Sequence, residues 1–167
     1  ENYGWRLGTG FLSTPMILDV LSEIDIETAY KLLENEQIPG WLSMPKLGAT
    51  TIWESWEGPY NEQGAGAGSL NHYSKGAVCA WLFTTMCGIR PNGENHFAIA
   101  PRPGGSLTHA AASYQSLYGK VKSKWEKTAS GYVFTVTVPA NCEADVYLPD
   151  GNKHLQTSGT VTYTTEG

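Results

Sequence analysis

The sequence predicts an α+β chain in two parts, a few helices followed by a small antiparallel β-sandwich. Three observations carry this. Apolar residues recur at three- and four-residue spacing up to about residue 87. Beyond about residue 92 they alternate singly, in short runs separated by turn residues. Between the two regimes stand Gly88 and Pro91, a helix stop and a helix breaker. The chain of 167 residues has room for one ordinary domain or two small ones, and the change of period divides it into 1–91 and 92–167.

The helical part begins at Thr14-Pro15, a hydroxyl N-cap followed by Pro in the first helical position. Met16, Val20 and Ile24 then repeat every four residues with Ile17 and Leu21 beside them, which predicts one buried face. Asp25 is placed to cap a second helix, in which Ile26, Ala29, Tyr30 and Leu33 follow the i, i+3, i+4, i+7 pattern. A third helix is expected over roughly Leu70 to Cys87. Its apolar rows are Tyr73-Ala77-Trp81 and Val78-Leu82-Met86, and Gly88 ends it. The connection from Gln37 to Ser69 is long for a compact domain, so it is either functional or disordered, and its tryptophans argue for function. Its Gly64-Ala65-Gly66-Ala67-Gly68 repeat reads as a mobile tip and matches no phosphate-binding loop.

In the second part, His96 to Ala100 reads as a short strand. Val121, Ser123 and Trp125 alternate with Lys120, Lys122, Lys124 and Glu126, giving one buried and one wet face. Tyr132 to Val138 alternates aromatic or β-branched residues with Thr and stops at Pro139. Ala144, Val146 and Leu148 alternate against Asp145 and Tyr147, Asp150-Gly151 is a turn, and Thr160 to Thr164 is a further strand. Short strands at this spacing predict a sandwich.

Composition narrows the function. Hydrophobic residues make up 41% and charged residues 16%, a folding composition. The net charge of −5 with no basic run argues against nucleic acid, which needs clustered Lys and Arg. No apolar run is long enough to suggest a membrane partner. Six Trp and nine Tyr either fill the core or stack on the apolar faces of sugars. The three cysteines match no metal pattern, and Cys79, in an apolar helical run, is expected as a buried free thiol. His96, His109 and His154 lie at no metal-ligand spacing, and no cofactor is called for. Glu1 to Gly8 has neither Met nor leader and reads like the interior of a longer protein.

Chemistry concentrates in Thr51-Ile52-Trp53-Glu54-Ser55-Trp56-Glu57. A carboxylate between two indoles suits acid/base work, because desolvation by the rings raises a carboxyl pKa while the rings offer faces to a sugar. The same residues could form a surface loop with Glu54 bonded to backbone. Asn71-His72-Tyr73 is the second element, with His72 either a donor to a sugar hydroxyl or part of a helix cap. No nucleophile elbow, zinc motif or P-loop is present.

Five ordered segments resemble the closing part of the bacterial α-L-rhamnosidases of glycoside hydrolase family 78. They are Gly8-Thr9-Gly10-Phe11-Leu12-Ser13-Thr14-Pro15, Gly48 to Trp56, Ser69 to Val78, Phe97-Ala98-Ile99-Ala100-Pro101-Arg102-Pro103-Gly104-Gly105, and Ala112 to Gly119. Together they cover almost the whole chain, from about Gly8 to about Leu148. The resemblance implies the last helices of an (α/α)6 barrel followed by a small antiparallel β-sandwich, and an inverting hydrolase acting on terminal α-L-rhamnose of plant glycosides or polysaccharides. It implies Glu54 as general base, His72 as a rhamnose contact, and Trp53 and Trp56 as shapers of the subsite. An inverting enzyme also needs a general acid across the sugar, with the two carboxyls about 6.5–9.5 Å apart. The resemblance puts that acid on a barrel segment upstream of this sequence, so the remainder of the parent chain is an expected partner and the isolated chain is expected to be inactive. Glu57 follows Glu54 too closely to stand across a sugar from it.

Two other readings compete. The β part could be a binding module presenting Tyr114, Tyr118 or Trp125 to a glycan, although alternation puts Trp125 on the buried side. Alternatively, the (α/α)6 fold could serve a different glycosidic bond, which fold alone does not decide.

Overall fold

Asp25 organises the start of the chain. Its backbone is extended between helix α1 (Ile17–Ile24) and helix α2 (Ile26–Leu33). Its carboxylate accepts hydrogen bonds from the N–H groups of Glu27 (3.3 Å) and Thr28 (2.9 Å) and from the Thr28 hydroxyl (2.6 Å). This is the N-cap expected from the sequence, and it satisfies donors that the helix itself leaves unpaired. The bonds from Thr28, hydroxyl first, hold the carboxyl below its ordinary value of 3.8. A folded-state pKa below the unfolded one means that this contribution is complete above pH 3.8 and fades as pH falls further. Asp25→Ala is therefore expected to lower the thermal midpoint by a few degrees at neutral pH, whereas Asp25→Asn keeps a capping oxygen that does not titrate. In acid unfolding scans the gap between wild type and Asp25→Ala should narrow below pH 3.8, while the gap between the two variants persists.

A computed structural model describes residues 4–60 and 68–166. They form two compact units, residues 1–79 with 104–106 and residues 80–103 with 107–167. All but Gly68 of the expected Gly-Ala tip lies outside the described residues.

In the first unit, Thr14 does not cap α1. Its hydroxyl donates backwards to the Gly10 carbonyl (2.9 Å) and closes a turn over residues 11–16, and the helix begins only at Ile17. The expected burial of Met16, Val20 and Ile24 is also corrected. They are 57%, 55% and 79% exposed, and α1 buries Leu18 and Ser22 instead. Periodicity identifies an apolar stripe but not what covers it, and no described residue of this chain covers this one. Helix α2 follows its pattern more closely, burying Ala29, Tyr30, Leu32 and Leu33. The outer side of α2 fixes the 104–106 segment, because Glu27 accepts the Gly105 N–H (3.1 Å) and Glu34 accepts the Ser106 N–H (3.0 Å). The long connection contains a one-turn helix α3 (Ser43–Lys46) and a 3-10 turn (Gly58–Tyr60).

The single helix expected over 70–87 is divided. Helix α4 (Tyr73–Gly76) is followed by α5 (Val78–Trp81) and by a π-helical turn (Leu82–Met86). Gly76, a poor residue for a helix interior, precedes the first break. In the wider turn Cys87 N–H reaches back five residues to Leu82 (3.1 Å), and the Arg90 guanidinium takes the Thr84 carbonyl (3.0 Å). Trp81, Val78 and Met86 are buried as expected, but Tyr73 is 87% exposed. Cys79 is exposed rather than buried, as is its neighbour Ala80. The buried thiols are Cys87 and Cys142, and burial pushes that of Cys87 up to about 11. Gly88, at φ +72°, ends the helical run. A Cβ there would stand 2.1 Å from the backbone of Ala100, so glycine is required both for conformation and for close approach.

The second unit continues as two four-stranded sheets. One has the order β1 (Ile89–Pro91), β2 (His96–Ile99), β6 (Glu143–Tyr147), β7 (Lys153–Gln156). The other has the order β3 (His109–Ser116), β4 (Gly119–Thr128), β5 (Gly131–Val138), β8 (Gly159–Glu166). The second sheet is antiparallel throughout. In the first, β2 and β6 run parallel, from His96↔Glu143 to Ile99↔Val146. The sandwich is antiparallel as expected except at this one pair. A parallel pair needs a long crossover, and the hairpins β3–β5 supply it. Phe97, Ile99, Ala144 and Val146 from one sheet and Val121, Trp125, Phe134 and Val136 from the other form the core. Across the interior, the Gln156 side-chain amide donates to the Val136 carbonyl (3.2 Å).

Candidate active site

The loop around Glu54 is built on two buried supports. Beneath it, the Trp53 N–H points to the Met44 sulfur (3.4 Å), and the buried Trp53 ring lies directly over Gly58. Gly58, at φ +55°, has no room for a Cβ, which would stand 2.1 Å from that ring. Trp53 is thus the underside of the loop rather than an open platform. The loop is then stitched to residues 68–72. Glu54 N–H donates to the Ser69 carbonyl (2.8 Å) and His72 N–H donates to the Ile52 carbonyl (2.8 Å), while the Thr51 hydroxyl bonds the Leu70 carbonyl. These bonds bring the two motifs singled out from sequence onto one side of the first unit.

Glu54 is half-buried, and its Oε2 accepts the Ser69 N–H at 2.7 Å. This bond anchors one carboxylate oxygen. An open recess of about 260 Å³ is lined by Glu54, Ser55, Trp56 and Glu57 of this loop together with Thr9, Gly10, Phe11 and Lys75. Glu57 is exposed and accepts the Ser55 hydroxyl (3.2 Å) within the same loop. Trp56 is half-buried, with its ring edge-on to Trp41 at 6.2 Å.

His72 is half-buried and does not line the recess itself. Its ring lies against Phe11 (4.6 Å between centroids) and stacks on Tyr73 (5.4 Å). Phe11, which does line the recess, links the two. The His72 Nδ1 is buried with no hydrogen-bond partner among the described residues. An unpaired buried nitrogen costs free energy until something bonds it.

Sequence reasoning did not single out Phe11 or Lys75. Lys75 carried a signal nonetheless, as the only Lys, Arg, Asp or Glu between Leu70 and Cys87, in a stretch otherwise read as largely buried. Of the six tryptophans, Trp41, Trp53, Trp81 and Trp125 belong to the core, leaving Trp5 and Trp56 partly open. In the β part, Tyr114 and Tyr118 are exposed while Trp125 is fully enclosed. Among the described residues no group of three His, Cys, Asp or Glu could hold a metal ion.

Comparison with known proteins gives a consistent result along the whole chain. Residues 1–86 match the family model of the bacterial alpha-L-rhamnosidase 6 hairpin glycosidase domain, and residues 88–162 match that of the bacterial alpha-L-rhamnosidase C-terminal domain. An alpha-L-rhamnosidase of Streptomyces avermitilis is 38% identical over 155 residues, which is 89% of this chain and 15% of the relative. One from Formosa agariphila is 40% identical over 153 residues, 88% of this chain and 16% of the relative. Among solved structures, the Streptomyces avermitilis alpha-L-rhamnosidase complexed with L-rhamnose superimposes with a TM-score of 0.85 at 34% identity, over 97% of this chain and 18% of that one. The Aspergillus terreus alpha-L-rhamnosidase gives 0.89 at 30% identity, over 98% of this chain and 20% of that one. The chain therefore spans about a sixth of the length of the curated relatives it matches.

Proposed function

The chain belongs to the bacterial α-L-rhamnosidase family, and from that premise we propose that it is the base-bearing end of an inverting glycoside hydrolase releasing terminal α-L-rhamnose from glycosides or polysaccharides. In this reading residues 1–91 close the catalytic barrel and residues 92–167 form the sandwich that follows it. The observation that carries it is the ordered pair of family matches, which together run from residue 1 to residue 162.

Glu54 is the general base. Its Oε2 is held by the Ser69 N–H, and Oε1 is the oxygen assigned to take a proton from the attacking water. Inversion requires that this water approach the anomeric carbon from the face opposite the leaving oxygen, which a second carboxyl protonates from about 6.5–9.5 Å away. Glu57 follows Glu54 by only three residues in the same loop, so the acid is assigned to an upstream segment of the parent protein. His72, packed on Phe11 of the recess wall, is assigned to a sugar contact, Trp56 presents a partly open ring, and Trp53 shapes the subsite from beneath.

The test uses the full-length protein and an aryl α-L-rhamnoside followed by proton NMR. The β anomer of L-rhamnose is expected as the first-formed sugar, and initial release of the α anomer would overturn inversion. The 167-residue chain alone is expected to show no turnover above background. Robust turnover by it, abolished in Glu54→Gln, would place both carboxyls within these residues and overturn the upstream acid.

A further inference from the structure

Lys75 is an unusual residue to find enclosed. It is 3% exposed in the first turn of α4, and a lone buried ammonium is costly unless its surroundings replace water. They do so here with two groups from the loop that carries the base. Its Nζ donates to the Glu54 carbonyl, and it stands 3.7 Å from the centre of the Trp56 ring, well inside the range of a cation–π contact. The backbone of Lys75 is fixed as well, because its carbonyl accepts the Trp41 indole N–H at 3.0 Å. Trp41 in turn meets Trp56 edge-on. One side chain therefore grips both the main chain of Glu54 and the ring of Trp56, from an element that is itself tied down.

We propose that Lys75 is a positioning residue for the base: its ammonium sets the height of Glu54 and the tilt of Trp56 over the recess. This rests on the assignment of Glu54 above. The alternative, that Lys75 merely fills space, leaves its charge without a purpose, since a Met of similar length would pack there without desolvation. The charge is what the Glu54 carbonyl and the Trp56 face both require. Among the described residues, Glu54 and Glu57 are the ionisable groups that face it from the loop. The 9–11 segment contributes Thr9, Gly10 and Phe11, none of which titrates in this range. Burial lowers the ammonium to about 8, with Glu54 and then Glu57 pulling the other way. Its cation–π contact is accordingly largely in place at neutral pH and is lost as pH rises through about 8.

Two measurements separate this proposal from the assignment on which it rests. The first reads geometry alone. In a fluorescence titration of the full-length protein from neutral to mildly alkaline pH, an indole change centred near pH 8 is expected, absent in Lys75→Met, Lys75→Arg and Trp56→Phe. A change that survives all three substitutions would overturn the proposal. The second reads catalysis. Lys75→Met is expected to lower kcat by about 10- to 100-fold and to raise KM by only a few-fold, because a displaced base is costly while Trp56 is one of several groups assigned to the sugar. Lys75→Arg, which keeps a cation for the carbonyl and the ring, is expected to restore most of that loss. Combined with Glu54→Gln, Lys75→Met should add almost nothing, since it acts through Glu54. Full additivity would overturn the positioning role. If Lys75→Met fails to fold, the Lys75→Arg rate and the Trp56→Phe titration still decide it. Wild-type rates in Glu54→Gln would overturn the base assignment while leaving the titration result intact.

Discussion

Glu54→Gln in the full-length protein is expected to lower kcat on an aryl α-L-rhamnoside by about 10³-fold, within the range for loss of a positioned general base. The substitution is nearly isosteric, and its amide oxygen can still accept the Ser69 N–H that orients Glu54. The loop should therefore keep its path, with KM changing by only a few-fold. The choice of leaving group sharpens the test. A nitrophenyl group departs without protonation, so it relieves the demand on the acid and leaves the demand on the base untouched. The loss in Glu54→Gln should thus be as large on the activated substrate as on a natural glycoside. Near-normal rates on both would remove Glu54 from the mechanism.

The largest expected effect on stability lies at Trp125. The residue is 0% exposed, its ring meets Tyr132 edge-on at 6.0 Å, and its N–H donates to the Met86 carbonyl at 2.9 Å. Trp125→Ala removes the largest side chain of the sandwich core and leaves that carbonyl without its donor. A loss of about 3–5 kcal/mol is expected from the cavity. Trp125→Phe, which restores much of the volume but not the N–H, should cost about 1–2 kcal/mol. Denaturant unfolding of the chain followed by circular dichroism measures both. A cost below about 1 kcal/mol for Trp125→Ala would show that the sandwich does not depend on this residue.

Legibility in the sequence depended on what each segment has to bury. The alternation of Val121, Ser123 and Trp125 names the inward face of β4 without error, because a strand with a core on one side and water on the other must alternate. Three strands gave no such signal: β1, β3 and β7. All three lie at sheet edges. The Ala-rich run in β3 (His109-Ala110-Ala111-Ala112) has weak β propensity and is held by pairing to β4. In the helical part the spacing of Met16, Val20 and Ile24 is genuine but its partner is not among the described residues, so periodicity gave a face and the wrong environment for it. Around the site, the motif containing Glu54 and the motif containing His72 were both legible, each from a local run. What joins them was not. The bonds from Glu54 to Ser69 and from His72 to Ile52, and the reach of Lys75 back to the loop, are long-range contacts that no local spacing encodes.

The parallel pairing of β2 with β6 also bears on the order in which the second unit assembles. Strands β3, β4 and β5 are joined by tight hairpins and meet through local contacts, whereas β2 must wait for that entire insert before β6 can lie beside it. Closing so large a loop costs entropy before any pairing offsets it. The hairpin sheet is accordingly the natural folding nucleus, and the sheet containing Phe97 and Val146 forms late. Weakening the β2–β6 pair should then speed unfolding far more than it slows folding, so this pair sets how long the native unit lasts rather than how quickly it is made.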